Sequence, residues 1–211
     1  MRIYYFLEMK IIELKYGRFF DKIVLIQNYS LNKHNNEVIA LSLNQSESQL
    51  VSCADGKKQK SFGKEENKII INHFIFKQLI QDYGLKAKFI KGNQFIWIYG
   101  GKAIDKCNVF KLKEGIFQEN QEKTIQLITN NQILNEFHFP IIYNKEKNLI
   151  IVRHKTQIYL IREMNDGKFK IVDQLNCDTY PVYGTITNNG QYLVYLDDNK
   201  IGYSTYELQN K

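Results

Sequence analysis

The sequence is poor in the residues that mark secreted and membrane-spanning proteins. It has three cysteines and two prolines in 211 residues, and its longest uninterrupted apolar run is about five residues, far below the roughly 18 that a membrane-spanning helix needs. Disulfide-stapled secreted domains instead carry a dense, even set of cysteines. We therefore expect a cytoplasmic globular protein without a membrane span, in which Cys53, Cys107 and Cys177 are buried free thiols.

Motifs for catalysis and cofactor binding are also missing. The sequence contains no G-x-x-x-x-G-K-[ST] phosphate loop, no G-x-G-x-x-G, no H-E-x-x-H and no G-x-S-x-G. The four histidines are far apart, and no Cys-x-x-Cys pair occurs. We expect no cofactor, no metal site and no enzymatic activity. An enzyme alternative stays open in which carboxylates such as Asp178, Asp197 and Asp198 meet as an acid and a base.

Positive charge is in excess but includes little arginine. The chain carries 29 Lys and Arg against 22 Asp and Glu, a net charge of +7, and only four of the cations are Arg. Arginine is the residue that makes bidentate contacts with base edges, so nucleic acid is not the partner we expect. A polyanion alternative stays open, in which a lysine-rich segment binds RNA or acidic lipid headgroups; its residues are Lys57, Lys58, Lys60, Lys64 and Lys68.

Four segments repeat one plan of apolar runs separated by polar turns. Their second runs carry Leu50, Phe95, Leu149 and Leu193 at equivalent places, about 44–54 residues apart. That period is the size of one four-stranded propeller blade. The sequence therefore predicts an all-β fold with about four antiparallel four-stranded blades in a single domain, 1–211. The predicted blades cover about 34–82, 83–131, 133–178 and 180–208.

Local patterns support the strands and their connections. The runs are rich in β-branched and aromatic residues, and 91–93 and 188–190 supply the Gly and Asn that tight hairpins need. Phe95, Trp97 and Tyr99 alternate along one run, which predicts one sheet face packed on its neighbour. Segment 20–31 is expected as an outer strand that completes the last blade and closes the ring. Since propellers usually have more blades, we also expect a partial or truncated propeller.

Segment 34–62, HNNEVIALSLNQSESQLVSCADGKKQKSF, resembles a repeat of the WD40 family. In that family a His, a Ser or Thr, an Asp and a Trp form a buried hydrogen-bonded set that ties the strands of a blade together. The resemblance assigns the first three roles to His34, Ser52 and Asp55, whereas Phe62 stands where the family has Trp. It implies a WD40-type β-propeller that acts as a non-enzymatic scaffold for protein–protein interactions.

One face of such a propeller is predicted to hold the candidate interaction residues. It collects the connections between blades and those between second and third strands, with Lys33, Asn35, Asn36, Lys57, Lys58, Lys102, Asp105, Lys155 and Asp198. We expect these side chains to be solvated, and we take the following as candidate contacts: Lys57, Lys58, Lys102, Lys155 and Asp198. A mixed, mostly basic surface suits a protein or peptide partner with acidic groups.

Overall fold

The computed structural model describes residues 14–18, 26–31, 37–54, 68–71, 74–77, 84–130, 133, 135–177, 181–197 and 202–209. Apart from a 3-10 turn at Gln121–Lys123, all regular elements in these ranges are β-strands. In chain order they are β1 (Leu14–Arg18), β2 (Ile26–Leu31), β3 (Val38–Leu43), β4 (Leu50–Ala54), β5 (Lys68–Ile71), β6 (Phe74–Lys77), β7 (Gly84–Lys91), β8 (Gln94–Tyr99), β9 (Lys106–Lys113), β10 (Ile116–Glu119), β11 (Ile125–Gln126), β12 (Ile142–Asn144), β13 (Leu149–His154), β14 (Gln157–Glu163), β15 (Phe169–Asn176), β16 (Val182–Ile186), β17 (Tyr192–Asp197) and β18 (Gly202–Glu207). The all-β prediction is confirmed.

Three sheets carry most of the described structure, and all their neighbouring strands are antiparallel. We number them from the β3-β4 hairpin, which is sheet 1. Sheet 2 has the order β10-β9-β8-β7, with β11 also paired to β9. Sheet 3 is the four-stranded meander β12-β13-β14-β15, and sheet 4 is β16-β17-β18. The turns predicted at 91–93 and 188–190 join β7 to β8 and β16 to β17.

The N-terminal part differs from the prediction in two ways. Strand β2 pairs with β1, Leu31 opposite Leu14, and among the described strands it is not a neighbour of sheet 4. The segment predicted as the first blade forms two hairpins, β3-β4 and β5-β6, and β4 and β5 are in contact although no hydrogen-bonded ladder between them is described. Local antiparallel pairing closes only a short loop, so its entropic cost is smaller than that of joining the two chain ends.

The core lies between successive sheets, because each strand turns alternate side chains to opposite faces. On β8, Phe95, Trp97 and Tyr99 pack with Val51 and Cys53 of the β3-β4 hairpin, which confirms the predicted aromatic stripe. The other face of sheet 2 packs on sheet 3 in a cluster that includes Ile96, Ile98, Ile150 and Val152. Sheets 3 and 4 pack through Phe139, Ile151, Leu193 and Tyr195. The sheets therefore stack face to face in chain order.

Within the described ranges, no helix has the length and apolar character needed to cross a membrane.

Candidate functional site

Three connections meet at one end of sheets 2 and 3, which we call the network end. They are residues 100–105 between β8 and β9, the turn at Lys155 between β13 and β14, and 127–141 between β11 and β12. The Asn135 side chain donates to the Tyr99 carbonyl, 3.2 Å away, and accepts from the Lys155 backbone N–H at 3.2 Å. One amide thus joins all three connections.

His154 and Asp105 form a buried pair across the two sheets. His154 Nε2 lies 2.9 Å from Asp105 Oδ1, and His154 Nδ1 lies 2.8 Å from Asn135 Nδ2. Because Nδ2 of Asn135 is a donor, Nδ1 accepts and Nε2 carries the proton that it donates to Asp105. Burial lowers the pKa of His154 to about 4, although the hydrogen bond with Asp105 opposes this shift. The imidazole is therefore neutral at pH 7.

Lys155 places a fully enclosed ammonium group beside this pair. Its side chain is 1% exposed, and Nζ donates to Asp105 Oδ1, to the Lys102 carbonyl at 2.6 Å and to the Asn130 carbonyl at 2.6 Å. An ammonium group has three N–H donors, so all of them are used. Burial raises the pKa of Asp105, but hydrogen bonds from Lys155 and His154 outweigh that effect and the net shift is downward.

A second buried ion pair joins sheet 3 to sheet 4. Arg153 and Glu136 are in contact, with side chains 3% and 1% exposed. Glu136 also accepts from the backbone N–H of Val182, the first residue of sheet 4, at 3.3 Å. On the sheet 2 side, Lys86 Nζ donates to the Arg153 carbonyl at 2.9 Å. Burial, followed by the charge of Arg153, holds the pKa of Lys86 well below its usual value.

The buried polar side chains of the network end hold the sheets together. Both nitrogens of His154, all three donors of Lys155 and both carboxylates take part in hydrogen bonds or ion pairs inside the protein. A general acid or base needs to reach a substrate proton, whereas Asp105 and Glu136 are 4% and 2% exposed. The chemistry of this network is structural, and it gives no support to the enzyme alternative.

The structure corrects part of the predicted interaction face. It brings Lys102, Asp105 and Lys155 together, but only Lys102 is exposed. Asp105 and Lys155 were expected to be solvated and are instead buried, because each satisfies the charge of the other and nearby carbonyls accept the remaining protons. The other residues predicted for this face lie outside the described side chains, namely Lys33, Asn35, Asn36, Lys57, Lys58 and Asp198. The same holds for the remaining lysines of the polyanion alternative, Lys60, Lys64 and Lys68.

The blade set suggested by the WD40 resemblance is only partly visible. Ser52 is fully buried on β4, while His34 and Asp55 lie outside the described residues. Asp178 and Asp198 of the enzyme alternative also lie outside them, as does the side chain of Asp197. The roles of these residues remain predictions.

Sequence reasoning missed His154, Asn135, Glu136 and Arg153 as members of a network. One signal was present, since Arg153, His154 and Lys155 follow directly on the apolar run 149–152. Every residue of β13 is buried, so ionisable residues at the end of such a strand need partners inside the protein.

An exposed cluster of rings lies next to the Glu136–Arg153 pair, with His138 Nδ1 3.3 Å from Glu136 Oε2. Phe137 and Tyr183 are 41% and 47% exposed, and the imidazole of His138 lies between them. The His138 and Phe137 rings are stacked, with centroids 4.3 Å apart and an angle of 27° between their planes. The His138 and Tyr183 rings meet edge to face, with centroids 5.1 Å apart. We call Phe137, His138 and Tyr183 the aromatic surface. His138 thus contacts two exposed rings, and contiguous exposed apolar surface is a mark of interaction sites.

The neutral, buried His154 makes stability sensitive to mild acid. Its pKa is about 4 in the fold against 6.5 for an ordinary histidine. As the pH falls, the unfolded chain therefore binds this proton before the folded protein does. The free energy of unfolding is unaffected by His154 above pH 6.5 and decreases between pH 6.5 and 4, by up to about 1.4 kcal/mol per pH unit. We expect urea unfolding at a series of pH values to show this loss. His154→Gln keeps an amide donor near Asp105 but does not titrate, so it should flatten the dependence; an equal slope in both proteins would contradict the assignment.

Comparison of sequences finds no match to a known protein family and no similar protein of established function. Comparison of structures finds many β-propellers. The chain resembles the β-propeller domain of Cps50 (Swd1) from Myceliophteria thermophila, with a TM-score of 0.62 and 12% identity over 94% of this chain and 62% of that one.

Two further solved structures are similar to a comparable degree. A chain in the crystal structure of the mitotic checkpoint complex matches with a TM-score of 0.64 and 11% identity over 87% of this chain and 54% of that one. A candidate 6-phosphogluconolactonase from Bacteroides fragilis matches with a TM-score of 0.63 and 12% identity over 93% of this chain and 61% of that one. The chain spans about three fifths of the length of these structures or slightly less. Its fold is that of a β-propeller.

Proposed function

We propose that this chain is a non-enzymatic, WD40-like scaffold that mediates protein–protein interactions in the cytoplasm. The observation that carries the proposal is the burial of the acidic side chains at the network end. The acids there whose side chains are described, Asp105 and Glu136, are buried and paired with cations. The exposed side chains of the described connections are aromatic, apolar, lysine or, at Thr129, hydroxyl. Such a surface favours binding over catalysis.

The similar structures agree with this proposal without deciding it. One of them is part of a multiprotein complex, and another is a candidate lactonase, so the fold alone is compatible with binding and with enzymatic activity. Whether this chain binds or catalyses therefore has to be inferred from its own side chains. The two described acids of the network end, Asp105 and Glu136, are held inside the fold and cannot reach a substrate, which supports the binding role.

The partner class follows from charge. The chain has a net charge of +7, and at the network end Lys102 and Lys106 are exposed. Opposite charge on a partner accelerates its association and fixes its orientation. We therefore propose partners that are proteins or peptides with acidic groups.

Affinity capture tests the proposal. We expect the tagged chain to retain a small set of proteins from a cell lysate at physiological salt, and nuclease treatment should leave that set unchanged. Loss of all bound material on nuclease treatment or in modest salt would favour the polyanion alternative, because phosphate contacts weaken steeply with salt. Retention of no protein under any of these conditions would refute the scaffold role.

A further inference from the structure

We propose that the aromatic surface, together with Lys102, is the docking site for an acidic peptide segment that carries an aliphatic or aromatic anchor residue. This inference rests on the proposed scaffold function and assigns it to a place on the molecule.

Phe137 and His138 belong to a segment that is fixed on both sides, and Tyr183 lies on β16. Asn135 and Glu136, immediately before Phe137, are buried and hydrogen-bonded to sheets 2 and 4. Phe139, immediately after His138, is fully buried in the cluster between sheets 3 and 4. A ring presented by a rigid segment loses little conformational freedom on binding, which is why pre-organised aromatic residues dominate binding energy.

Three of the nine large apolar side chains that are exposed in the described structure lie in one connection. Ile128, Ile133 and Phe137, all in the 127–141 connection, are between 41% and 47% exposed, as is Tyr183 on sheet 4. Exposed apolar side chains that share one connection offer a partner more area than the same side chains scattered singly. An anchor residue of the partner would pack on Phe137 and Tyr183, with His138 already in place between them.

Charge at the same end is complementary to an acidic segment. The Glu136 carboxylate next to the rings is neutralised by Arg153, and Asp105 is neutralised by Lys155, so these acids do not repel an incoming anion. Lys102 is exposed, and its carbonyl is fixed by Lys155 Nζ at 2.6 Å. Its ammonium group is free to meet a carboxylate at the rim of the contact, where it would chiefly affect the association rate.

Defined peptides test this site. The probes are fluorescein-labelled ten-residue peptides that place a central Leu-Phe pair among Asp and Glu, with three controls in which the pair is replaced by Ser, the acids by Lys, or the acids by Ser. We expect the acidic Leu-Phe peptide to bind with a Kd of about 10–100 µM, typical of a weak single-motif contact, and each control to bind at least tenfold more weakly.

Substitutions locate the binding. Phe137→Ala and Tyr183→Ala should each weaken the acidic Leu-Phe peptide about tenfold, and Lys102→Glu should weaken it and remove much of its salt dependence. Val172→Ala is the matched control, because Val172 is 44% exposed on the outer strand β15, and it should bind within twofold of the parent protein. Urea unfolding of each variant identifies any that lose affinity by unfolding.

The outcomes separate this site from the scaffold role. Equal peptide affinity in the parent protein and in Phe137→Ala, or preference for the Lys control peptide, would overturn the site. A concentration-dependent dimer that Phe137→Ala abolishes would show that a second copy occupies the surface instead. If the peptides fail while affinity capture with Phe137→Ala still retains the same proteins, the scaffold role stands and the docking site is wrong.

Discussion

Replacing Lys155 by methionine is expected to destabilise the protein by about 3–5 kcal/mol. The substitution keeps the length of the side chain and removes its charge. It leaves the Asp105 carboxylate buried without its ammonium partner, and it leaves the carbonyls of Lys102 and Asn130 without the donor that each has at 2.6 Å. Loss of one member of a buried ion pair is among the most damaging single changes, because the remaining charge cannot return to water. Urea unfolding followed by far-UV circular dichroism measures the effect.

The control is Lys102→Met, which removes the same charge at an exposed position and should change stability by no more than about 0.5 kcal/mol. The double variant Asp105→Asn with Lys155→Met removes both charges and should be more stable than Lys155→Met alone. A loss below about 1 kcal/mol in Lys155→Met would mean that water reaches Asp105 and that the network is not sealed.

Gly84→Ala is expected to cost about 3 kcal/mol, at the upper end of what overpacking usually does. A Cβ atom on Gly84 would lie 1.9 Å from Cζ2 of Trp97. The indole has no room to move, because Trp97 is 1% exposed and packs against Phe95, Tyr99 and Phe110. The methyl group can therefore be accepted only if β7 shifts away from β8. Thermal unfolding of the variant checks this expectation.

Two further variants test the cause. Gly92→Ala adds the same methyl group where no atom lies within 4 Å of the new Cβ, so it should be nearly neutral. In a Trp97→Phe background the six-membered indole ring that meets the new Cβ is gone, and Gly84→Ala should cost clearly less than in the parent protein. An equal cost in both backgrounds would assign the effect to the backbone of β7 and not to the indole.

Local sequence patterns were sufficient to predict the sheets. Alternation along Phe95, Trp97 and Tyr99 depends only on the period of a strand, and the turn at 188–190 depends on a residue that tolerates positive φ, which Gly190 adopts at 65°. Both features are decided by residues that are neighbours in sequence. For the same reason the repeat of about 44–54 residues predicted the propeller.

The buried network could not be predicted from the same patterns. Its contacts join Asp105 to His154 and Lys155, about 50 residues apart in the chain, and no local period records such a pairing. By itself, a lysine in a turn indicates a solvated side chain. Lys155 is buried only because three acceptors from two other connections converge on it, and that convergence exists only after sheets 2 and 3 have packed together.

The pairing of β2 with β1 escaped prediction for a different reason. The prediction relied on the advantage of covering a sheet edge and assigned 20–31 to the last blade. Pattern alone does not distinguish a strand that covers a distant edge from one that pairs with its predecessor. The local partner was available in 14–18, and the structure uses it.

The network around Lys155 also bears on how freely this sequence can diverge while the fold persists. Two of the three acceptors of the ammonium group are main-chain carbonyls, those of Lys102 and Asn130, which any residue supplies equally well. For this contact alone their side chains are free to change, whereas Lys155 and Asp105 act through side-chain atoms and are tied to each other. A search for fixed residues at the two carbonyl positions would then overlook relatives that share the arrangement. A paired Asp and Lys at these two places is the more durable signature of this kind of blade contact.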